Sequence, residues 1–113
     1  MPVQGVILHQ SVCPSINGKG FDFFVTQTGI VIPGAEQTDP GYVHICIEGD
    51  FDAPTDALSP ALHEQLFLAH KLIQRLAAAL EFSPSQVIPH SSTCPGRFFP
   101  WSMLVISDQD RYH

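Results

Sequence analysis

A histidine and a cysteine stand four positions apart in Pro89-His90-Ser91-Ser92-Thr93-Cys94-Pro95-Gly96, where an extended run breaks at Pro95-Gly96. Imidazole and thiolate on one rigid turn can hold a soft or borderline metal, and this donor pair favours zinc. Two ligands do not complete a site. The best third candidate lies at the other end of the chain: His9, which closes the apolar run Val6-Ile7-Leu8. Each residue also has a plainer reading. His9 suits a strand-end histidine bonded to a backbone carbonyl, His90 a turn histidine, and Cys94 a buried thiol packed as a small hydrophobe.

The elements that must position these side chains read in the order strand, loop, strand, strand, strand, helix, strand, short helix. Residues 3–9 are rich in β-branched and aliphatic types and end at the loop Cys13-Pro14-Ser15-Ile16-Asn17-Gly18. Residues 21–26 are aromatic and extended. Thr28-Gly29 then reads as a tight turn into Ile30-Val31-Ile32, which makes a hairpin. Residues 42–51 alternate, with Val43, Ile45 and Ile47 on one face and His44, Cys46, Glu48 and Asp50 on the other. Ser59-Pro60 opens the one long helix, serine as N-cap and proline at the first helical position. Its apolar stripe is Leu62, Leu66, Ala69, Ile73, Leu76, Ala77 and Leu80, as a helix lying on a sheet requires. Ser83-Pro84 ends it, residues 86–90 return as a strand, and Pro100 starts a last helical turn through Met103 to Ile106. The fold class is α/β: a central mixed sheet of about five strands, one long helix packed on it and a short C-terminal helix. The strand–helix–strand succession between residues 42 and 90 implies a crossover.

Composition narrows the partners. At 113 residues the chain reads as one domain over 1–113, and 44% apolar with 14% charged residues is globular, not disordered. A net charge of −6 with five Lys and Arg argues against nucleic acid or an anionic membrane surface as partner. Six acids fall between Glu36 and Asp56, so one edge is markedly acidic. No segment is apolar for long enough to span a bilayer. The start, Met-Pro-Val-Gln-Gly, lacks the flank and core of a signal peptide, so the chain as written reads as cytoplasmic, or as a piece whose export signal is missing. Cysteines at 13, 46 and 94 do not form a disulfide framework.

Taken in order, Ile7-Leu8-His9-Gln10-Ser11, Phe21-Asp22-Phe23-Phe24-Val25, the run Val43-His44-Ile45-Cys46-Ile47-Glu48-Gly49-Asp50-Phe51, Glu64-Gln65, Ile88-Pro89-His90 and Cys94-Pro95-Gly96 resemble the zinc-dependent N-acetylmuramoyl-L-alanine amidases. That family includes the peptidoglycan recognition proteins and the amidase-type phage lysozymes. The resemblance runs through roughly residues 5 to 106, and its most specific part is Cys-Pro-Gly-x-x-Phe-Pro-Trp after a strand-ending histidine. It implies a central mixed sheet with zinc at the ends of adjacent strands. The implied reaction is hydrolysis of the amide joining N-acetylmuramic acid to L-alanine in peptidoglycan or muropeptides. Position by position, His9, His90 and Cys94 match the three zinc ligands. Three protein ligands leave an open tetrahedral position for water, whose pKa falls to about 7 on zinc.

The departures from the family are specific. A short loop replaces the helix that usually follows the first strand, and the interval from His90 to Cys94 is shorter than in most relatives. Phe21 stands where many active members have tyrosine, and Cys46 where muropeptide-cleaving relatives have glutamate. The candidates for the catalytic helpers are Glu48, Asp22 and Ser92. Glu48 shares a strand face with His44, and Ser92, two residues before Cys94, stands where the resemblance puts a threonine or lysine able to help polarise the carbonyl. His44, which could also position or deprotonate the water, and Phe21 are the candidates for contacting substrate. Glu48 and Asp50 equally suit a solvated acidic face, and His44 a packing histidine. Two classes follow: a zinc amidase, or a non-catalytic peptidoglycan- or muropeptide-binding module that kept the fold. Oligomeric state is not legible in the sequence.

Overall fold

The computed structural model describes residues 3–12, 21–34, 39–56 and 58–104. Strand β1 (Gly5–Gln10) is followed by β2 (Phe23–Val25), β3 (Val31–Pro33) and β4 (Tyr42–Ile47). Helix α1 (Pro60–Leu80) leads to β5 (Val87–Pro89), and a 3₁₀ turn spans Trp101–Leu104. The five strands form one sheet in the order β3-β2-β4-β1-β5. β1 runs parallel to both β4 and β5, β2 runs parallel to β4, and β2–β3 is the one antiparallel pair among them. The expected mixed α/β sheet and hairpin are therefore present. The crossover through α1 carries the chain from one flank of β1 to the other.

Register divides the sheet into two chemically different faces. Val6, Leu8 and Gln10 lie beside Val43, Ile45 and Ile47, and α1 covers this side. Val6, Leu8, Val25, Val43, Ile45 and Ile47 form one cluster with Leu66, Ala69 and Ile73 of the helix. Side chains alternate along a strand, so Ile7 and His9 project to the opposite face with His44 and Cys46. β5 pairs Ile7 with Ile88, which puts His90, two residues further, on that face too.

Local chemistry accounts for the helix. Ser59 Oγ accepts the Leu62 N–H at 3.2 Å, and Pro60 occupies the first helical position, where no donor is needed. The helix stops at Glu81, which adopts a left-handed conformation (φ 62°), and Phe82 N donates to the Ala77 carbonyl. Of the expected apolar stripe, Leu66, Ala69, Ile73 and Ala77 are buried, Leu62 and Leu76 are half-buried, and Leu80 in the last turn is exposed; one polar residue joins the buried set. Gln65, 2% exposed, donates through Nε2 to the carbonyls of Val25 and Glu48 and ties α1 to the ends of β2 and β4.

β1, β2, β3 and β5 differ from expectation by one or two residues at their ends, and the two elements β4 and the last helical turn differ by more. β4 stops at Ile47 instead of continuing to residue 51, because Gly49 takes φ 152° and breaks the alternation. The last helical turn is 3₁₀ and ends at Leu104; its expected extension to Ile106 lies outside the described residues, as do Cys13 and residues 14–18 of the first loop. Among the described residues no helix is long and apolar enough to cross a membrane.

Candidate metal centre

His9 is placed by β1, an interior strand flanked on both sides by parallel partners, and is 3% exposed. His90 follows β5 and donates its backbone N–H to the Leu8 carbonyl at 3.2 Å, which locks it laterally to β1 just before His9. The chain then doubles back. Ser91 and Cys94 form an isolated antiparallel bridge, with Ser91 N–H to Cys94 O at 3.1 Å and the reverse bond at 3.4 Å. A two-residue reversal over Ser92 and Thr93 thus returns Cys94 to the side of the sheet from which His90 left. That is how so short an interval brings both side chains to His9.

The loop is held from two sides. Gln10, 2% exposed, accepts the Phe51 N–H at 2.7 Å and donates to Asp52 Oδ1 at 3.1 Å and to the Thr93 carbonyl at 3.4 Å. Beyond the cis Cys94–Pro95 bond, Gly96 has φ 118° and lies so close to Phe51 that a Cβ there would meet its backbone C and O at 2.5 Å. Only glycine fits. Phe98 N donates to the Phe51 carbonyl, and Phe99 packs edge-on against both Phe51 and Trp101 at centroid distances of 5.0 and 4.9 Å. The Cys-Pro-Gly-x-x-Phe-Pro-Trp run is therefore an anchor that sets Cys94 against the sheet.

One ligand atom from each of His9, His90 and Cys94 lies within 4.8 Å of the other two. Cys94 Sγ is 3.9 Å from His9 Nδ1, and the His9 and His90 ring centroids are 4.4 Å apart. Zinc bonds of about 2.0 Å to nitrogen and 2.3 Å to sulfur separate two tetrahedral ligands by roughly 3.5 Å, so the Nδ1–Sγ pair needs a shift of only a few tenths of an ångström. His9 and Cys94 are buried whereas His90 is exposed, so the group opens to solvent on one side. His9 is also in the form that a ligand needs. Burial first, then the neighbouring rings of His90 and His44, lower its pKa from 6.5 to about 4, leaving a neutral imidazole at pH 7.

The third histidine of this face, His44, expected to contact substrate or position the water, stands behind His9. His44 Nδ1 lies 2.8 Å from His9 Nε2, and His44 Nε2 lies 2.8 Å from Asp39 Oδ2. Asp39, which the sequence did not single out, has its pKa lowered, chiefly by the hydrogen bond to His44 and then by the Gly41 amide. Nothing in local spacing reveals it, because residue 39 sits in a loop ahead of β4.

The other expected helpers are dispersed. The Glu48 carboxylate accepts the Gln27 N–H at 2.7 Å and lines a cleft of about 300 Å³ with Ala61, Leu62 and Gln65 of α1, a cleft to which none of His9, His90 and Cys94 contributes. Asp22 Oδ2 accepts the backbone N–H of His44 at 2.8 Å. Neither carboxylate joins the group of mutually close ligand atoms. Phe21 packs against Phe24 at 5.5 Å, and Ser92 is exposed at the tip of the turn. Cys46 is fully buried, as a small core residue would be.

No protein-family model matches the sequence, and no curated protein matches it by sequence. Among solved structures, the fold is similar to that of the endolysin N-acetylmuramoyl-L-alanine amidase LysCS from Clostridium intestinale URNW. The superposition has a TM-score of 0.65 at 17% identity and covers 92% of this chain and 82% of that one. The chain has the α/β fold of that amidase, which is the architecture that the sequence resemblance implies.

Proposed function

We propose that this chain is a zinc-dependent amidase that hydrolyses the bond between N-acetylmuramic acid and L-alanine in peptidoglycan or muropeptides. The observation that carries this reading is the convergence of His9, His90 and Cys94 on the face of an amidase-type sheet opposite α1. Bound by these three side chains, zinc supplies Lewis acidity towards a carbonyl and lowers the pKa of water. The protein's own part is orientation. Two buried ligands on rigid elements and an exposed third leave the approach to the centre open from the His90 side. The exposed hydroxyl-bearing turn Ser91–Thr93 borders that approach, and Ser92 is the donor proposed to hold the developing oxyanion.

The dispersal of Glu48 and Asp22 favours the second reading, a peptidoglycan-binding module of the same fold without turnover. One experiment separates the two: zinc content, and release of free L-alanyl peptide from muropeptide, for the wild-type chain and its Cys94→Ala and Glu48→Gln forms. Stoichiometric zinc with cleavage that Cys94→Ala abolishes is the expected result. Stoichiometric zinc without cleavage at any metal load overturns the enzyme and leaves the binder. A folded, reduced protein that takes up no zinc overturns both.

A further inference from the structure

We propose that Asp39 and His44 form a relay that holds His9 as the Nε2–H tautomer, with its Nδ1 lone pair presented beside Cys94. The relay deepens the metal-centre reading above and names two positioning residues for it.

The hydrogen-bond chain has one internally consistent arrangement with both rings neutral. A carboxylate only accepts, and Asp39 is fixed as an acceptor at both oxygens: Oδ1 takes the Gly41 N–H at 2.8 Å and Oδ2 faces His44 Nε2 at 2.8 Å. His44 Nε2 must therefore carry the proton. A neutral imidazole has one N–H, so His44 Nδ1 is a lone pair and accepts from His9 Nε2, 2.8 Å away. That places the proton of His9 on Nε2 and leaves Nδ1 bare. Nδ1 is the atom that lies 3.9 Å from Cys94 Sγ. Every bond in the chain thus points away from the side where a cation would sit.

Position in the sheet makes the arrangement rigid. His9 and His44 occupy one face of adjacent parallel strands, His9 opposite Cys46 and His44 opposite Ile7. Their rings lie 5.0 Å apart at 30°. The His44 side chain is 14% exposed, so water competes little for its nitrogens. A metal-bound histidine commonly donates its second N–H to a carboxylate or carbonyl, which fixes the ring and raises ligand basicity. Here a second imidazole stands between ligand and carboxylate, so the negative charge is kept one ring further from the centre.

The test uses the full chain, with zinc affinity measured by chelator competition and histidine tautomers by long-range ¹H–¹⁵N NMR. Asp39→Asn and His44→Phe are expected to weaken zinc binding about 10- to 100-fold, with Asp39→Glu recovering part of the loss. In the metal-free wild type at pH 7.5, His9 and His44 are both expected as Nε2–H tautomers. In Asp39→Asn the amide can donate to His44 Nε2 and reverse the chain, giving a detectable Nδ1–H population that a merely structural loss would not produce. Unchanged zinc affinity in both variants, or an Nδ1–H tautomer of His9 in the wild type, overturns the relay. A wild type that binds no zinc overturns the metal centre instead, and the metal-free tautomers then decide the relay by themselves.

Discussion

Burying the neutral imidazole of His9 on an interior strand carries a pH liability that can be worked out. In the unfolded chain His9 takes up a proton near pH 6.5, whereas in the folded metal-free protein burial and the rings of His90 and His44 delay this to about pH 4. Between those values the unfolded state binds more protons than the folded one, so stability rises with pH through the window and is lost as pH falls through it. The interval from 6.5 to about 4, at 1.36 kcal/mol per pH unit, amounts to a loss of about 3 kcal/mol by pH 4. For a domain with about 5–15 kcal/mol in hand this is a large fraction. The measurement is urea denaturation of the EDTA-treated protein at pH 7.5 and 4.5, beside a His9→Asn variant that has no titrating ring at that position. The wild type is expected to lose about 2–3 kcal/mol more than the variant between the two pH values. Equal losses would refute the reasoning, because the acidic residues elsewhere titrate in both chains.

Other expectations follow from the anchors of the site. Gly96→Ala introduces a Cβ at 2.5 Å from the Phe51 backbone at φ 118°; it is expected to cost at least about 1–3 kcal/mol in thermal unfolding and to weaken zinc binding, because Cys94 is displaced. Gln10→Leu strands the Phe51 N–H in the interior and is expected to cost about 1–3 kcal/mol in urea. Ser59→Ala removes the cap bond to Leu62, with an expected loss of about 0.5–2 kcal/mol and no change in zinc affinity. Glu48→Gln keeps a carbonyl oxygen for the Gln27 N–H, so its stability is expected within about 0.5 kcal/mol of wild type, as measured by urea midpoint.

Periodicity made the scaffold legible in the sequence. The alternation in residues 43–47, the stripe from Leu62 to Ala77 and the Ser59-Pro60 start are all local patterns, and each corresponds to an observed element. The three candidate ligands were legible as types in order along the chain, and the structure brings their side chains close together. What was hidden depends on partners far apart in sequence. Gln10 and Gln65 look like surface amides until their acceptors and donors, some forty residues distant, are seen. The compactness of the interval between His90 and Cys94 is explained only by the backbone bridge across it. His44 shares a face with His9 through strand pairing, and Asp39 reaches it from a loop without periodicity. Glu48 left its expected alignment because a glycine one residue later ends the strand geometry on which alternation depends.

Strand β1 has a consequence for how the chain can vary in length. Its even-numbered residues Val6 and Leu8 sit in the core under α1, and its odd-numbered residue His9 belongs to the ligand group. A substitution at either kind of position touches one face. Adding or deleting a single residue within Gly5–Gln10 would exchange the faces of everything beyond it, sending His9 under the helix and Leu8 among the polar side chains of the opposite face. The same holds for β4, which carries His44 between Val43 and Ile45. Viable changes in length are therefore expected in the connections, such as the turn at Gln27–Gly29 and the segment ahead of Ser59, and not within these two strands.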